Sequence, residues 1–238
     1  MQQFSTPITL GLAASVAAAL TPADCVLEPS AGTGLLAILA QLAGASLCLN
    51  EFAQTRADLL ALLFPEARVR RFDAAQIHDR LEATISPTVV LMNPPFSALA
   101  HVDRTIPDAA LRHIASALNR LCPGGRLVAI TGAGLSPDNP TWERAFVRLQ
   151  ETGRLVFTAA IDGAAYARHG TSVDTRLTVI DKAPAANPNV FVAASGRAPD
   201  ATSLLALVVA HVPPRLPLAD RPGAATSQIP AAPREPNS

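Results

Sequence analysis

Lysine and cysteine are scarce in this sequence, and each scarcity closes off a class of function. Lys182 is the only lysine, and 19 basic residues are matched by 19 acidic ones for a formal net charge of zero. A neutral chain has no bulk electrostatic grip on nucleic acid. Such contact has to come from a local arginine patch or an attached partner. Arginine far outnumbers lysine and alanine is abundant, a coding bias rather than a functional signal. The three cysteines, Cys25, Cys48 and Cys122, are widely spaced with no Cys-x-x-Cys pair. That pattern suggests neither a disulfide framework nor a zinc site. His78, His101, His113, His169 and His211 show no metal-ligand spacing either. No apolar run reaches the roughly 18 residues of a membrane helix, and the start, MQQFSTPITL, lacks a basic n-region. The expectation is a cytoplasmic protein with no membrane partner.

What is present is an apolar fraction of 49% in 238 residues, enough for one full α/β domain and a tail. Strand and helix signals alternate. Leu10 to Leu20 is an alanine-rich helix closed by Thr21-Pro22, and Cys25 to Leu27 a short first strand. Leu35, Leu36, Ile38, Leu39 and Leu42 recur at helical spacing. Further strands are predicted at Ser46–Leu49, Val69–Phe72, Thr88–Met92, Arg126–Ile130, Leu155–Ile161 and Arg176–Ile180. Helices fall between them, including a stripe of Leu111, Ile114, Leu118 and Leu121 and a helix entered at Asn139-Pro140. This predicts a Rossmann-like, doubly wound α/β fold: seven strands, mainly parallel, helices on both faces, the last strand antiparallel. Residues 1–196 form the domain; 197–238 hold one short helix, Ser203 to Val212, then a Pro/Ala-rich tail or linker.

Two stretches carry chemistry. Glu28-Pro29-Ser30-Ala31-Gly32-Thr33-Gly34 follows the first strand and opens a helix, as in G-x-G-x-x-G/A loops. Its glycines let the backbone turn tightly beside a ligand. Glu51, at the end of the second strand, is spaced to take ribose hydroxyls, which leaves a nicotinamide or flavin dinucleotide as a competitor. Glu28 would repel a pyrophosphate but suits the cationic amino-acid portion of S-adenosylmethionine. Asp73, at the end of the third strand, could accept from an adenine amine. Glu28, Glu51 and Asp73 thus line one crevice at the carboxyl edge of the sheet.

The second stretch is Asn93-Pro94-Pro95-Phe96, where the prolines stop the fourth strand. An exocyclic amine is a poor nucleophile because its lone pair is delocalised into the ring. The Asn93 side-chain oxygen and the Pro94 carbonyl offer two acceptors for its hydrogens, drawing the nitrogen toward a tetrahedral geometry. Pro94 and Pro95 stiffen the loop, and Phe96 offers a face for a flipped-out base.

In these motifs the chain resembles the DNA adenine-N6 branch of the class I S-adenosylmethionine-dependent methyltransferases. Phe4-Ser5-Thr6-Pro7, Glu28 to Gly34, Asn50-Glu51, Asp73 and Asn93 to Phe96 stand in that family's γ-like order. Residues 170–182 resemble its final hairpin, and the whole is similar to the methyltransferase domains fused to strawberry-notch-type helicases. The resemblance implies that Phe4 and Thr6 flank the methionine part of the cofactor. Glu28, Pro29, Ala31, Gly32 and Gly34 would shape its pocket, Glu51 bind the ribose and Asp73 the adenine. Asn93, Pro94, Pro95 and Phe96 would then hold the target base. It implies DNA as substrate and a helicase or restriction-system partner. No target-recognition domain follows the catalytic core and no G-x-x-x-x-G-K-[ST] occurs, so the chain reads as a detached module of a larger system. Methylation of RNA or of a protein glutamine, and a non-catalytic cofactor-binding role, are the alternatives. Tyr166, Arg168 and Arg176 lie near the hairpin, where a nucleic-acid backbone could pass.

Overall fold

The computed structural model describes residues 6–94, 108–169 and 172–218. Its centre is an eight-stranded sheet in the order β3-β2-β1-β4-β5-β7-β6-β8. The strands are β1 (Cys25–Glu28), β2 (Ser46–Asn50), β3 (Arg68–Arg70), β4 (Val89–Met92), β5 (Arg126–Gly132), β6 (Arg154–Ile161), β7 (Thr175–Asp181) and β8 (Arg197–Ala198). β1 to β5 are mutually parallel, and β7 runs antiparallel to both β5 and β6. This is the doubly wound sheet expected, with one strand more than seven. The addition, β8, is only two residues long and pairs parallel with β6, too short to leave a periodic signal.

Side chains alternate across the sheet. In β4, Val89 and Leu91 face one core, and Val90 and Met92 face the other. All four are buried because helices cover both faces, the condition that turns a strand into a continuous apolar run. The first face carries α1 (Ile8–Ala18), α2 (Leu35–Leu42) and α7 (Ala201–His211). The second carries α4 (Ile77–Arg80), α5 (Asp108–Arg120) and α6 (Glu143–Gln150). α3 (Gln54–Leu63) covers β2 through Leu60 and Phe64, packed on Leu49. The helix expected over 203–212 is α7, which lies against α1, and β8 and α7 tie the chain after residue 196 to the sheet.

Two boundaries differ from expectation for local reasons. β3 ends at Arg70 rather than Phe72, because the Asn50 side chain takes both Phe72 backbone groups: Phe72 N–H donates to Oδ1 (2.8 Å) and Nδ2 donates to the Phe72 carbonyl (3.0 Å). α6 starts at Glu143 rather than Pro140, because Asn139 Oδ1 accepts the Thr141 N–H and builds a turn ahead of the helix.

A polar seam closes the amino-terminal edge of the parallel strands. Arg126 pairs with Asp181 through Nε–Oδ1 (2.7 Å) and Nη2–Oδ2 (3.2 Å), with side chains only 1% and 0% exposed. Nearby, Asp24 accepts from Thr21, from the Thr88 hydroxyl (2.6 Å) and from both terminal nitrogens of Arg215 (2.8 and 2.9 Å). Burial penalises the Asp24 carboxylate, but these donors outweigh it and hold its pKa below the ordinary value. Arg126 Nη2 also donates to the Pro214 carbonyl, so the segment before Leu218 straps this edge. Among the described residues no helix is long and apolar enough to cross a membrane.

Candidate active site

The parallel strands all deliver their carboxyl ends to one edge, and β1 sits between β2 and β4 where the strand order reverses. Three of these ends are locked to one another by β2. The Asn50 amide nitrogen donates to the Pro29 carbonyl (2.8 Å) as well as to Phe72, and the Ala31 N–H donates to the Asn50 carbonyl (2.9 Å). One buried amide thus fixes the loops after β1 and β3. Glu51 does the same for the glycine loop: Oε2 accepts the Gly32 N–H (3.0 Å), while Oε1 accepts the Ala53 N–H (2.9 Å) and Arg56 Nη2 (2.7 Å).

Both loop glycines have left-handed backbones, φ +57° at Gly32 and +83° at Gly34, yet their surroundings differ. A Cβ on Gly34 would stand 2.5 Å from Phe64 Cε2 and 2.9 Å from Leu60 Cδ2, so Gly34 lets α2 approach α3. A Cβ on Gly32 would meet nothing within 4 Å. Gly32 therefore bares its backbone to open space, as a ligand cradle requires.

Glu28 is fully buried at the entry to this loop, and its Oε2 has no hydrogen-bond partner. Burial pushes its carboxyl well above the usual range, and the Glu51 charge adds to that. The Ala37 N–H in the first turn of α2 opposes it. The carboxyl thus stands at the helix N-terminus that a pyrophosphate would occupy in a dinucleotide site. An orphaned buried acid is stabilised by an incoming cation.

Beside it lies a cleft of about 370 Å³, lined among others by Pro29, Glu51, Arg56, Phe72, Asp73 and His113. Asp73 is exposed at the rim, with Oδ1 capping the 3-10 turn Ala74–Gln76 through the Ala75 N–H (2.9 Å). Neither Phe72 nor His113 was singled out for the cleft from the sequence. The signal available was an aromatic next to an acid at a strand end, and a histidine interrupting an apolar stripe. Burial holds the His113 imidazole below its ordinary pKa despite the Asp73 charge.

Asn93 follows the last residue of β4, next to β1 at the reversal point. Its Nδ2 donates to Thr6 Oγ1 at 2.7 Å, joining it to the segment before α1. Pro94 is buried behind it. Of the other predicted site residues, Glu28, Pro29, Ala31, Gly32, Gly34, Glu51 and Asp73 all come to this edge, whereas Phe4, Pro95 and Phe96 lie outside the described residues, as does His101. Arg176 is buried, its Nη1 bound to Thr158 Oγ1 (2.7 Å) and its Nε to the Ala133 carbonyl (3.3 Å), so it pins the loop after β5 instead of presenting a solvated charge.

No protein-family model and no curated protein matches this sequence. Solved structures do. The M protein of the type I restriction enzyme EcoKI is 18% identical with a TM-score of 0.64, over 82% of this chain and 48% of that one. A class I S-adenosylmethionine-dependent methyltransferase from Listeria monocytogenes is 13% identical, TM-score 0.64, over 87% and 70%. The 23S rRNA methyltransferase ErmE is 17% identical, TM-score 0.56, over 80% and 73%. The chain spans less than half the length of the type I restriction-modification proteins that it matches first. Sheet order, crossover placement and these likenesses together give one conclusion: the chain has the fold of the class I S-adenosylmethionine-dependent methyltransferases.

Proposed function

We propose that this protein transfers a methyl group from S-adenosylmethionine to the N6 amine of adenine in DNA, within a restriction-modification or helicase-associated assembly. The observation that carries the reading is the position of Asn93. It stands at the carboxyl end of β4, beside the acidic loop of β1, at the point where strand order reverses. In open α/β sheets that crevice is where ligands bind.

The residues present fit this cofactor better than a dinucleotide. Glu28 offers a buried, unpartnered carboxyl oxygen to a cation, which favours its ionised form, whereas a pyrophosphate at the start of α2 would oppose that ionisation. Gly32 leaves room for close backbone approach, with Ala31 and Gly34 fixing the turn. Glu51 would take the ribose, Asp73 the adenine, and Thr6 with Phe4 the methionine portion. The cofactor, when bound, supplies a methyl group on a sulfonium leaving group.

The chain's own contribution is positioning. Asn93 Oδ1 and the Pro94 carbonyl accept the two hydrogens of the target amine. That pulls the lone pair out of the ring's π system and aims it along one line. No general base is needed, because the surplus proton leaves to solvent from an already cationic product nitrogen. The resemblance gives Pro95 the stiffening of this loop and Phe96 the stacking on the base.

Expression in a methylation-free host followed by mass spectrometry of its nucleosides tests this. N6-methyladenine in DNA is the expected result. Cofactor binding with no mark in host DNA, and none on duplex DNA in vitro, would remove the DNA assignment. Parallel assays on RNA and a glutamine-containing peptide then identify the amine's owner. Asn93→Ala is expected to abolish turnover while leaving cofactor affinity within about twofold of the parent.

A further inference from the structure

We infer that Thr6 is a positioning residue for Asn93: its hydroxyl holds the amide nitrogen and so turns the amide oxygen toward the target. The inference rests on the reading of Asn93 as the acceptor of the substrate amine. A carboxamide has two chemically opposite ends, a pair of donors on Nδ2 and an acceptor on Oδ1. The terminal torsion of asparagine is broad and nearly two-fold, so an unanchored amide presents either end. An amide presenting Nδ2 would meet the target N–H bonds donor to donor and release the base. Something in the fold has to hold the amide with its oxygen outward.

Thr6 does so. It is buried, only 6% exposed, in the segment before α1, and its Oγ1 lies 2.7 Å from Nδ2 across 87 residues of sequence. With Nδ2 held by the hydroxyl, Oδ1 is the end left for the target. Because a hydroxyl can also donate, the pairing selects the oxygen only together with the two N–H groups of the target amine. Pro94, which follows, has no N–H, so its carbonyl contributes a second acceptor and no donor. The pair therefore accepts both hydrogens of an NH2 group and rejects a carbonyl at the same position. Thr6 thereby acquires a role different from cofactor contact, and the two roles separate in the measured constants.

The test compares Thr6→Val, which keeps the shape and deletes the hydroxyl, with Thr6→Ser, which keeps the hydroxyl. In Thr6→Val, kcat is expected to fall about tenfold, the factor that a hydrogen bond of ordinary net strength supplies. At saturating cofactor this fall in kcat should persist whatever happens to cofactor affinity, and Thr6→Ser should restore kcat. A Thr6→Val protein with weakened cofactor binding and unchanged kcat at saturation would overturn the inference in favour of a cofactor contact.

A second readout does not depend on turnover. The Asn93 side-chain amide resonance, assigned by its loss in Asn93→Asp, should move in Thr6→Val and return in Thr6→Ser. If it stays in place in Thr6→Val, Thr6 does not hold the amide and the inference fails. If it moves as expected in a protein that methylates no amine, Thr6 still positions Asn93 and the proposed function is what fails.

Discussion

Gly32 donates its backbone N–H to Glu51 Oε2 at 3.0 Å, so the tip of the glycine loop hangs from the end of the neighbouring strand. The same carboxylate accepts from Ala53 and Arg56 through its other oxygen. A carboxylate can accept at both ends; a carboxamide cannot. Glu51→Gln must therefore turn its NH2 toward either the Gly32 N–H or the Ala53 and Arg56 donors. We expect at least a tenfold loss of S-adenosylmethionine affinity by calorimetry, with thermal stability lowered by about 1–3 kcal/mol for the stranded buried donor. Unchanged affinity would separate the loop tip from cofactor binding.

The two loop glycines should fail in different ways. Gly32→Ala faces open space and bears only the left-handed backbone penalty, about 1–2 kcal/mol. Its methyl group would stand in the ligand cradle, so cofactor binding should suffer more than folding. Gly34→Ala drives a methyl group into Phe64 and Leu60, and urea midpoints should drop far more for it than for Gly32→Ala. Equal midpoints would contradict the packing described.

Glu28 sets the pH response. Its folded pKa lies above the ordinary 4.5, so the folded state holds a proton that the unfolded chain releases. The stability tied to that proton is complete below 4.5 and is lost as pH rises toward the folded value. Glu28→Gln removes this slope, and its advantage over the parent in urea should grow from pH 5 to pH 8. Binding of a cationic ligand beside Glu28 drives the proton off, so affinity should rise with pH. Calorimetry in buffers of different ionisation enthalpy would count the released proton, and zero protons released would place the cation elsewhere.

The Arg126–Asp181 pair predicts a large stability loss. Arg126→Met leaves Asp181 buried, with only Arg154 Nη2 at 3.9 Å, among the described residues, to balance it. Breaking a buried pair in this way costs about 3–5 kcal/mol. The double variant Arg126→Met/Asp181→Leu should recover much of it, since no charge is then stranded. Urea unfolding with an unchanged m-value checks both. The variants sit at the edge away from the cleft, so cofactor affinity should hold wherever they remain folded.

The sheet was legible in the sequence because its strands are buried on both faces, and Val89 to Met92 therefore reads as an unbroken apolar run. The acids and glycines at strand ends were legible because turn chemistry leaves few residue types to choose from. Asn50 was not assigned its work, since a polar residue after a strand looks the same whether it is solvated or clamps two loops at 2.8 Å and 3.0 Å. The burial of Arg126, which opens a predicted strand, and of Arg176, expected near a nucleic-acid path, was not legible, because their partners come from β7, β6 and distant loops. The seventh-to-eighth strand miscount has the same origin: β8 has two residues and exists only by pairing with β6.

The bond from Arg215 to Asp24 spans 191 residues and completes the amino-terminal edge of the sheet with a segment made long after its strands β1 to β5. A chain emerging from the ribosome can assemble β1 to β5 and still lack this seal. Until residue 215 appears, Asp24 keeps, among the described residues, Thr21 and Thr88 as donors. Closing so long a loop is entropically slow relative to the local pairing of neighbouring βα units. The arginine therefore works as a latch on a finished domain, and truncations that stop before it are expected to yield a protein that pairs its strands correctly yet opens from that edge first.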